Sequence, residues 1–200
     1  MQIKNKNQDY IFEIIHDIKA PILSMDYALK NIKKDEILNE IYKTNKHNLN
    51  YIESLITNYS ITKGKYCLKY ELINLVKIIE EELSALNFII KEKNLRVIIS
   101  KDKIEDEYIV SDKNLLRQII LNLLNNAIKF SPINNTIKII FEKTNNKISI
   151  CFINNFEKNQ ENFSTKIGMD IIKKNLKVIK GKLKITNSKN EICYNISFNC

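Results

Sequence analysis

Two hundred residues, 44% hydrophobic and 28% charged, suffice for one large domain or two small ones and exclude a disordered chain. With 3 Gly and 2 Pro, a loop-rich or glycine-cradled architecture is disfavoured. The net charge of +9 admits nucleic acid, a membrane surface or an acidic protein as partner; the lysines are dispersed, Arg96 and Arg117 are the sole arginines, and no zinc-finger or aromatic–basic motif is present, so nucleic acid is not expected.

The first element predicted is a helix over residues 4–32. Its apolar stripe runs Ile11, Ile15, Ile18, Ile22, Met25, Leu29, Ile32, at alternating spacings of 4 and 3, which is the seam of a bundle or coiled coil. His16 lies one position past a seam residue, so its ring is expected on the flank, beside Asp17 and Lys19. Imidazole is a neutral nucleophile near pH 7. Pro21 falls within the stripe and predicts a kink. After the polar turn Lys33-Lys34-Asp35, a second helix over 36–61 carries Leu38, Ile41, Asn45, Asn48, Ile52, Leu55 and Tyr59 along its seam. Two such helices cannot bury a core alone, so the hairpin is expected to form a homodimeric four-helix bundle. His47 is read as a surface residue.

Thr62-Lys63-Gly64-Lys65 is the predicted linker, which divides the chain into 1–62 and 63–200. Beyond it the pattern predicts a short strand at 66–70, one helix at 74–93 with Asn74 as N-cap and an acidic patch at Glu80, Glu81 and Glu82, and strands at 95–99 and 108–110. A helix over 112–130 buries Leu115, Leu116, Ile119, Ile120, Leu123, Leu124, Ala127 and Ile128 and presents Asn122, Asn126 and Lys129 on its other face. Strands at 136–143 and 147–153 flank the hairpin signal Asn145-Asn146. A polar loop at 154–164, a helix at 167–179 capped by Gly181, and a hairpin of 182–187 with 192–199 complete an α+β sandwich, helices on one face of a mixed sheet. The four cysteines form no C-x-x-C pair, and no secretory leader or run of 18 apolar residues is seen. A cytoplasmic chain without membrane insertion and with reduced thiols is therefore expected.

The chain resembles a bacterial sensor histidine kinase reduced to its two transmitter modules. His16-Asp17-Ile18-Lys19-Ala20-Pro21 is similar to the phosphoacceptor box, and Leu116-Arg117-Gln118-Ile119-Ile120-Leu121-Asn122-Leu123-Leu124-Asn125-Asn126-Ala127-Ile128-Lys129-Phe130-Ser131-Pro132 is similar to the asparagine box of the Bergerat-type ATPase domain. The resemblance implies a dimeric helical hairpin followed by an α/β sandwich of the histidine-kinase ATPase type. It also implies Mg-ATP as cofactor, with Asn122 and Asn126 facing magnesium and phosphates, Lys129 meeting phosphate and Phe130 near adenine. The implied partner is a response-regulator receiver domain carrying its own magnesium.

Three departures qualify these implications. Where the family has Asp-x-Gly-x-Gly, this chain has Asn154-Asn155-Phe156-Glu157-Lys158, so a neutral amide replaces the adenine-binding carboxylate. In the segment that resembles the second glycine box, Ser164 to Ile172, just Gly168 remains. Weak or absent ATP binding follows as the expectation. Ala20 stands where many such kinases have the Thr or Asn that positions a dephosphorylating water. The leading expectation is phosphoryl transfer through His16 to or from a receiver aspartate. An autophosphorylating kinase, a regulator phosphatase and a non-catalytic scaffold or antikinase remain the alternatives.

Overall fold

The computed structural model describes residues 15, 18–19, 22–27, 29, 36–101, 108–144, 146–156 and 167–199. The chain divides into two compact units, Met1–Cys67 and Leu68–Cys200.

In the first unit, helical backbone is described at residues 15, 18–19, 22–27 and 29 (α1), and α2 spans Glu36–Thr62. The expected stripe is only partly the one that faces the neighbouring helix. Asp26, Leu29, Asn45, Leu49 and Ile52 are buried, whereas Ile18, Met25 and Ile41 are exposed. Asn45 Nδ2 donates to the Ile22 carbonyl at 3.1 Å, which explains how a polar residue is tolerated between the helices. Asn48, expected beside it in the seam, is exposed. Gly64 ends α2: its φ of +69° is the left-handed geometry a glycine adopts at no steric cost. Lys65 N then reaches back to the Ser60 carbonyl at 2.9 Å, closing a Schellman turn.

The second unit begins with β1 (Tyr70–Asn74), followed by α3 (Leu75–Ala85), α4 (Asn87–Glu92), β2 (Arg96–Ser100), β3 (Tyr108–Asp112), α5 (Lys113–Phe130), β4 (Thr136–Thr144), β5 (Lys147–Asn155), α6 (Ile167–Val178), β6 (Lys182–Asn187) and β7 (Glu191–Asn199). Strands β1 and β3 pair antiparallel as a small separate sheet that sequence patterning did not separate from the main one. The main sheet has the order β2-β4-β5-β7-β6, with β2 parallel to β4 and the other pairs antiparallel. Helix α5 packs on β5, and α6 packs on β6 and along α5. The inner face alternates as a half-buried sheet must: Ile137, Ile139 and Phe141, then Ile148, Ile150 and Phe152, then Tyr194, Ile196 and Phe198 are buried.

Four sequence expectations are corrected. The strand starts at Tyr70, not Tyr66, because its pairing partner β3 ends opposite Tyr70 at Asp112. The predicted helix over 74–93 is two helices that meet at Leu86, a break without Gly or Pro to announce it. Glu82 is not part of an exposed acidic patch: it is fully buried, and the Arg117 guanidinium of α5 pairs with it. The thiols are not all reduced: a disulfide joins Cys151 to Cys193, while Cys67 is free and exposed. The register sets Cys151 opposite Asn195 and Ile153 opposite Cys193, so the two cysteines lie diagonally on the outer sheet face, with Cα atoms 6.2 Å apart and within bridging range.

At α6, the left-handed residue is Lys180, with φ +57°. Gly181 N closes the turn onto the Leu176 carbonyl at 2.8 Å. A Cβ on Gly181 would stand 2.6 Å from Leu176 and 2.9 Å from Phe198, so close packing requires the glycine.

Candidate functional site

The predicted site residues fall into two groups. In the first unit, Lys19 Nζ lies 3.5 Å from Glu53 Oε1 of α2, so its charge is shared with that carboxylate. His16, Asp17, Ala20 and Pro21 lie outside the described residues, as does the side chain of His47.

In the second unit the structure brings most of the predicted residues to one end of the sandwich. Helix α5 is set in place at its N-terminus by Asp112, which is 1% exposed and uses both carboxylate oxygens: Oδ1 accepts from Leu115 N at 3.0 Å and Oδ2 from Lys69 N at 2.9 Å. Along α5, Gln118 Oε1 accepts from Asn175 Nδ2 of α6 at 3.0 Å. One turn on, Asn122 lies against Gly168 at the start of α6. Contacts thus advance along α5 while receding along α6, so the two helices run antiparallel. The C-terminal turns of α5, which carry Asn126, Lys129 and Phe130, lie at the end where α6 begins.

Gly168 shows what a larger residue there would do. A Cβ would stand 2.9 Å from Asn122 Oδ1, so glycine lets the first turn of α6 meet the asparagine. Asn122 Nδ2 donates to the Gln118 carbonyl at 2.8 Å, which orients the amide. Asn126 and Phe130 are half-buried, and Lys129 is exposed with its ammonium 5.4 Å from the Phe130 ring centroid.

Strand β5 delivers Asn154 to the inner face, as the buried alternation Ile148, Ile150, Phe152, Asn154 requires. Asn154 is 1% exposed; its Nδ2 donates to the Asn155 carbonyl at 2.8 Å, and among the described residues its Oδ1 has no partner. Next to it, Asn155 Nδ2 donates to Asn135 Oδ1 at 3.2 Å, tying the end of β5 to the loop after α5. Phe156 N is bound to the Asn190 carbonyl at 3.1 Å. Glu157, Lys158 and the loop to 166 lie outside the described residues.

Three contributors were not anticipated from the sequence: Lys93, whose ammonium donates to carbonyls around the end of α5; the Gln118–Asn175 pair; and the Asn135–Asn155 bridge. Each joins segments at least 20 residues apart, so no local spacing signals it.

This fold, a five-stranded mixed sheet with α5 and α6 on one face and an asparagine-bearing helix at the site, is that of the catalytic domains of histidine kinases. The catalytic domain of the histidine kinase ThkA superposes on 66% of this chain and 95% of its own length, with TM-score 0.57 and 23% identity. The Acinetobacter baumannii histidine kinase AdeS covers 92% of this chain and 94% of its own, with TM-score 0.63 and 18% identity. A structure of ThkA in complex with the response regulator protein TrrA covers 99% of this chain and 62% of its own, with TM-score 0.60 and 20% identity. Neither the protein-family models nor the curated proteins yield a match. Among the described residues no helix is long and apolar enough to cross a membrane, and no cluster of three or more His, Cys, Asp or Glu side chains is arranged to hold a metal ion.

Proposed function

We propose that this protein is a histidine-kinase-like component of two-component signalling, in which His16 passes a phosphoryl group to or from the aspartate of a response-regulator receiver domain, and in which the second unit binds nucleotide weakly. The observation that supports the reading is the grouping of Asn122, Asn126, Lys129, Phe130, Asn154 and Gly168 at one end of a histidine-kinase catalytic fold, in a chain whose sequence carries the His16 box ahead of that unit.

The residues fit a purine nucleotide. The buried Asn154 Oδ1, without a partner among the described residues, suits the amino N–H of adenine; Phe130 would offer the base an aromatic neighbour, and Lys129 would suit phosphate. The amide oxygens of Asn122 and Asn126 suit a hard cation such as Mg²⁺. An amide acceptor lacks the charge of the carboxylate it replaces, which costs about 1.4 kcal/mol, or about tenfold in affinity.

At His16 the imidazole nitrogen attacks the phosphorus of the receiver's aspartyl phosphate; the N–P bond forms as the P–O bond to the carboxylate breaks. The reverse step returns the group to an aspartate. Asp17 orients the ring, and Lys19, shared with Glu53, moderates charge as it develops. The magnesium for this step belongs to the receiver. The protein works as a homodimer in the cytoplasm: the first unit exposes Ile18, Leu23, Met25 and Ile41, apolar surface that a second copy of the hairpin would cover.

The second reading is an autophosphorylating kinase, favoured by the intact asparagine face of α5 and the buried Asn154 acceptor. Calorimetric titration with Mg²⁺ and a non-hydrolysable ATP analogue separates the two. Affinity weaker than about 100 μM is expected. Binding in the low micromolar range, with label reaching His16 from ATP, would move autophosphorylation to first place.

A further inference from the structure

We propose that Lys93 is a positioning residue for the nucleotide end of α5, a role that rests on the reading that this end receives a nucleotide. An α-helix leaves its last carbonyls without intrahelical donors. In α5 two of these, together with the carbonyl of the cap residue Ser131, converge on one ammonium brought in from elsewhere. Lys93 Nζ donates to the carbonyl of Ile128 at 2.8 Å, of Lys129 at 3.0 Å and of Ser131 at 2.8 Å. An ammonium carries three donors and no acceptor, and this set matches all three. Earlier in the turn, the Ala127 carbonyl accepts from Ser131 N at 3.1 Å and from Ser131 Oγ at 2.6 Å. The cation also faces the negative end of the helix dipole.

Lys93 grips the same segment through its backbone. It is the C-cap of α4, and its carbonyl accepts from Asn134 N at 3.0 Å. The adjacent Asn94 Nδ2 donates to Asn134 Oδ1 at 2.6 Å. Residues 128–134 are thus held at both ends by one corner of the fold, the join of α4 to β2. That segment contains Lys129 and Phe130 and leads directly to Asn135, which is bonded to Asn155 beside the adenine acceptor Asn154. A displacement of this turn shifts the phosphate-facing and base-facing groups together. Lys93 meets this turn through main-chain carbonyls, so it acts by setting where the Lys129 and Phe130 side chains stand.

The test is calorimetry with Mg²⁺ and a non-hydrolysable ATP analogue on the full chain and on Lys93→Met, Lys93→Arg and Asn74→Ala, alongside amide hydrogen exchange. Lys93→Met is expected to weaken binding about tenfold and to speed exchange at residues 128–134 selectively. Lys93→Arg, which keeps the charge, should recover part of both. Asn74→Ala removes the N-cap bond to Lys77 N in α3, so it should lower the melting temperature while leaving affinity unchanged. If the parent chain binds and Lys93→Met matches it within about twofold, or if exchange rises evenly across the unit, the positioning role is overturned. A parent chain that shows no binding at millimolar analogue instead overturns the nucleotide reading itself and the Lys93 role with it.

Discussion

On the proposed reading, a single oxygen at Asn154 decides how well a base is held. The residue sits on the inner face of β5 at 1% exposure, with its amide nitrogen already committed to the Asn155 carbonyl. Its Oδ1 is the acceptor left over, and it is neutral. Asn154→Asp is therefore expected to strengthen binding of a non-hydrolysable ATP analogue by about tenfold, the difference between a neutral and a charge-assisted bond. Calorimetry on the two chains measures it; equal affinities would show that the base does not reach this position. The asparagine face of α5 could be read from the sequence because Asn122 and Asn126 are one turn apart on a helix whose other face is apolar. That Asn154 Oδ1 has no partner among the described residues could not, since it depends on what the surrounding strands and loops leave unfilled.

At the scale of elements, the alternating strands and the long α5 were legible because their periodicities, 2 and 3.6, are written in local order. The break at Leu86 was not, for the residues on either side keep a helical pattern and no Gly or Pro interrupts it. The disulfide was equally hidden: Cys151 and Cys193 are 42 residues apart, and only the β5–β7 register shows that they meet diagonally. The loop closed by the bridge contains α6 and β6, so it constrains the arm that carries Gly168. The chain-entropy account gives about 4 kcal/mol for a loop of this size. Reduction is then expected to lower the melting temperature by on the order of 10 °C. Thermal melts with and without reductant measure this, with Cys151→Ser as the reference that should be insensitive; coincident melts of the parent chain would show that the bridge adds no stability.

Over the whole molecule, the two units contribute different things. The second has the fold of a histidine-kinase catalytic domain, and its corner at Lys93, its loop at Asn135 and the start of α6 converge on one end. The first supplies the histidine and apolar residues that one copy leaves exposed, Ile18, Met25 and Ile41 among them. Of the expected stripes Leu29, Asn45 and Ile52 are buried, but so are Asp26 and Leu49, which the periodicity left out. The exposed set predicts a dimer of twice the 23.5 kDa chain by sedimentation equilibrium, shifted toward monomer by Ile18→Glu together with Ile41→Glu. A monomeric parent chain would contradict the shared bundle.

Phosphoryl transfer at His16 is measured by incubating the chain with a receiver domain charged with radiolabelled phosphate. The chain should acquire label that is stable to alkali and labile to acid, as a phosphohistidine is, and the His16→Gln variant should acquire none. Label that reaches His16→Gln as readily as the parent chain, or receivers that keep their phosphate in the presence of both, would contradict phosphoryl transfer at His16.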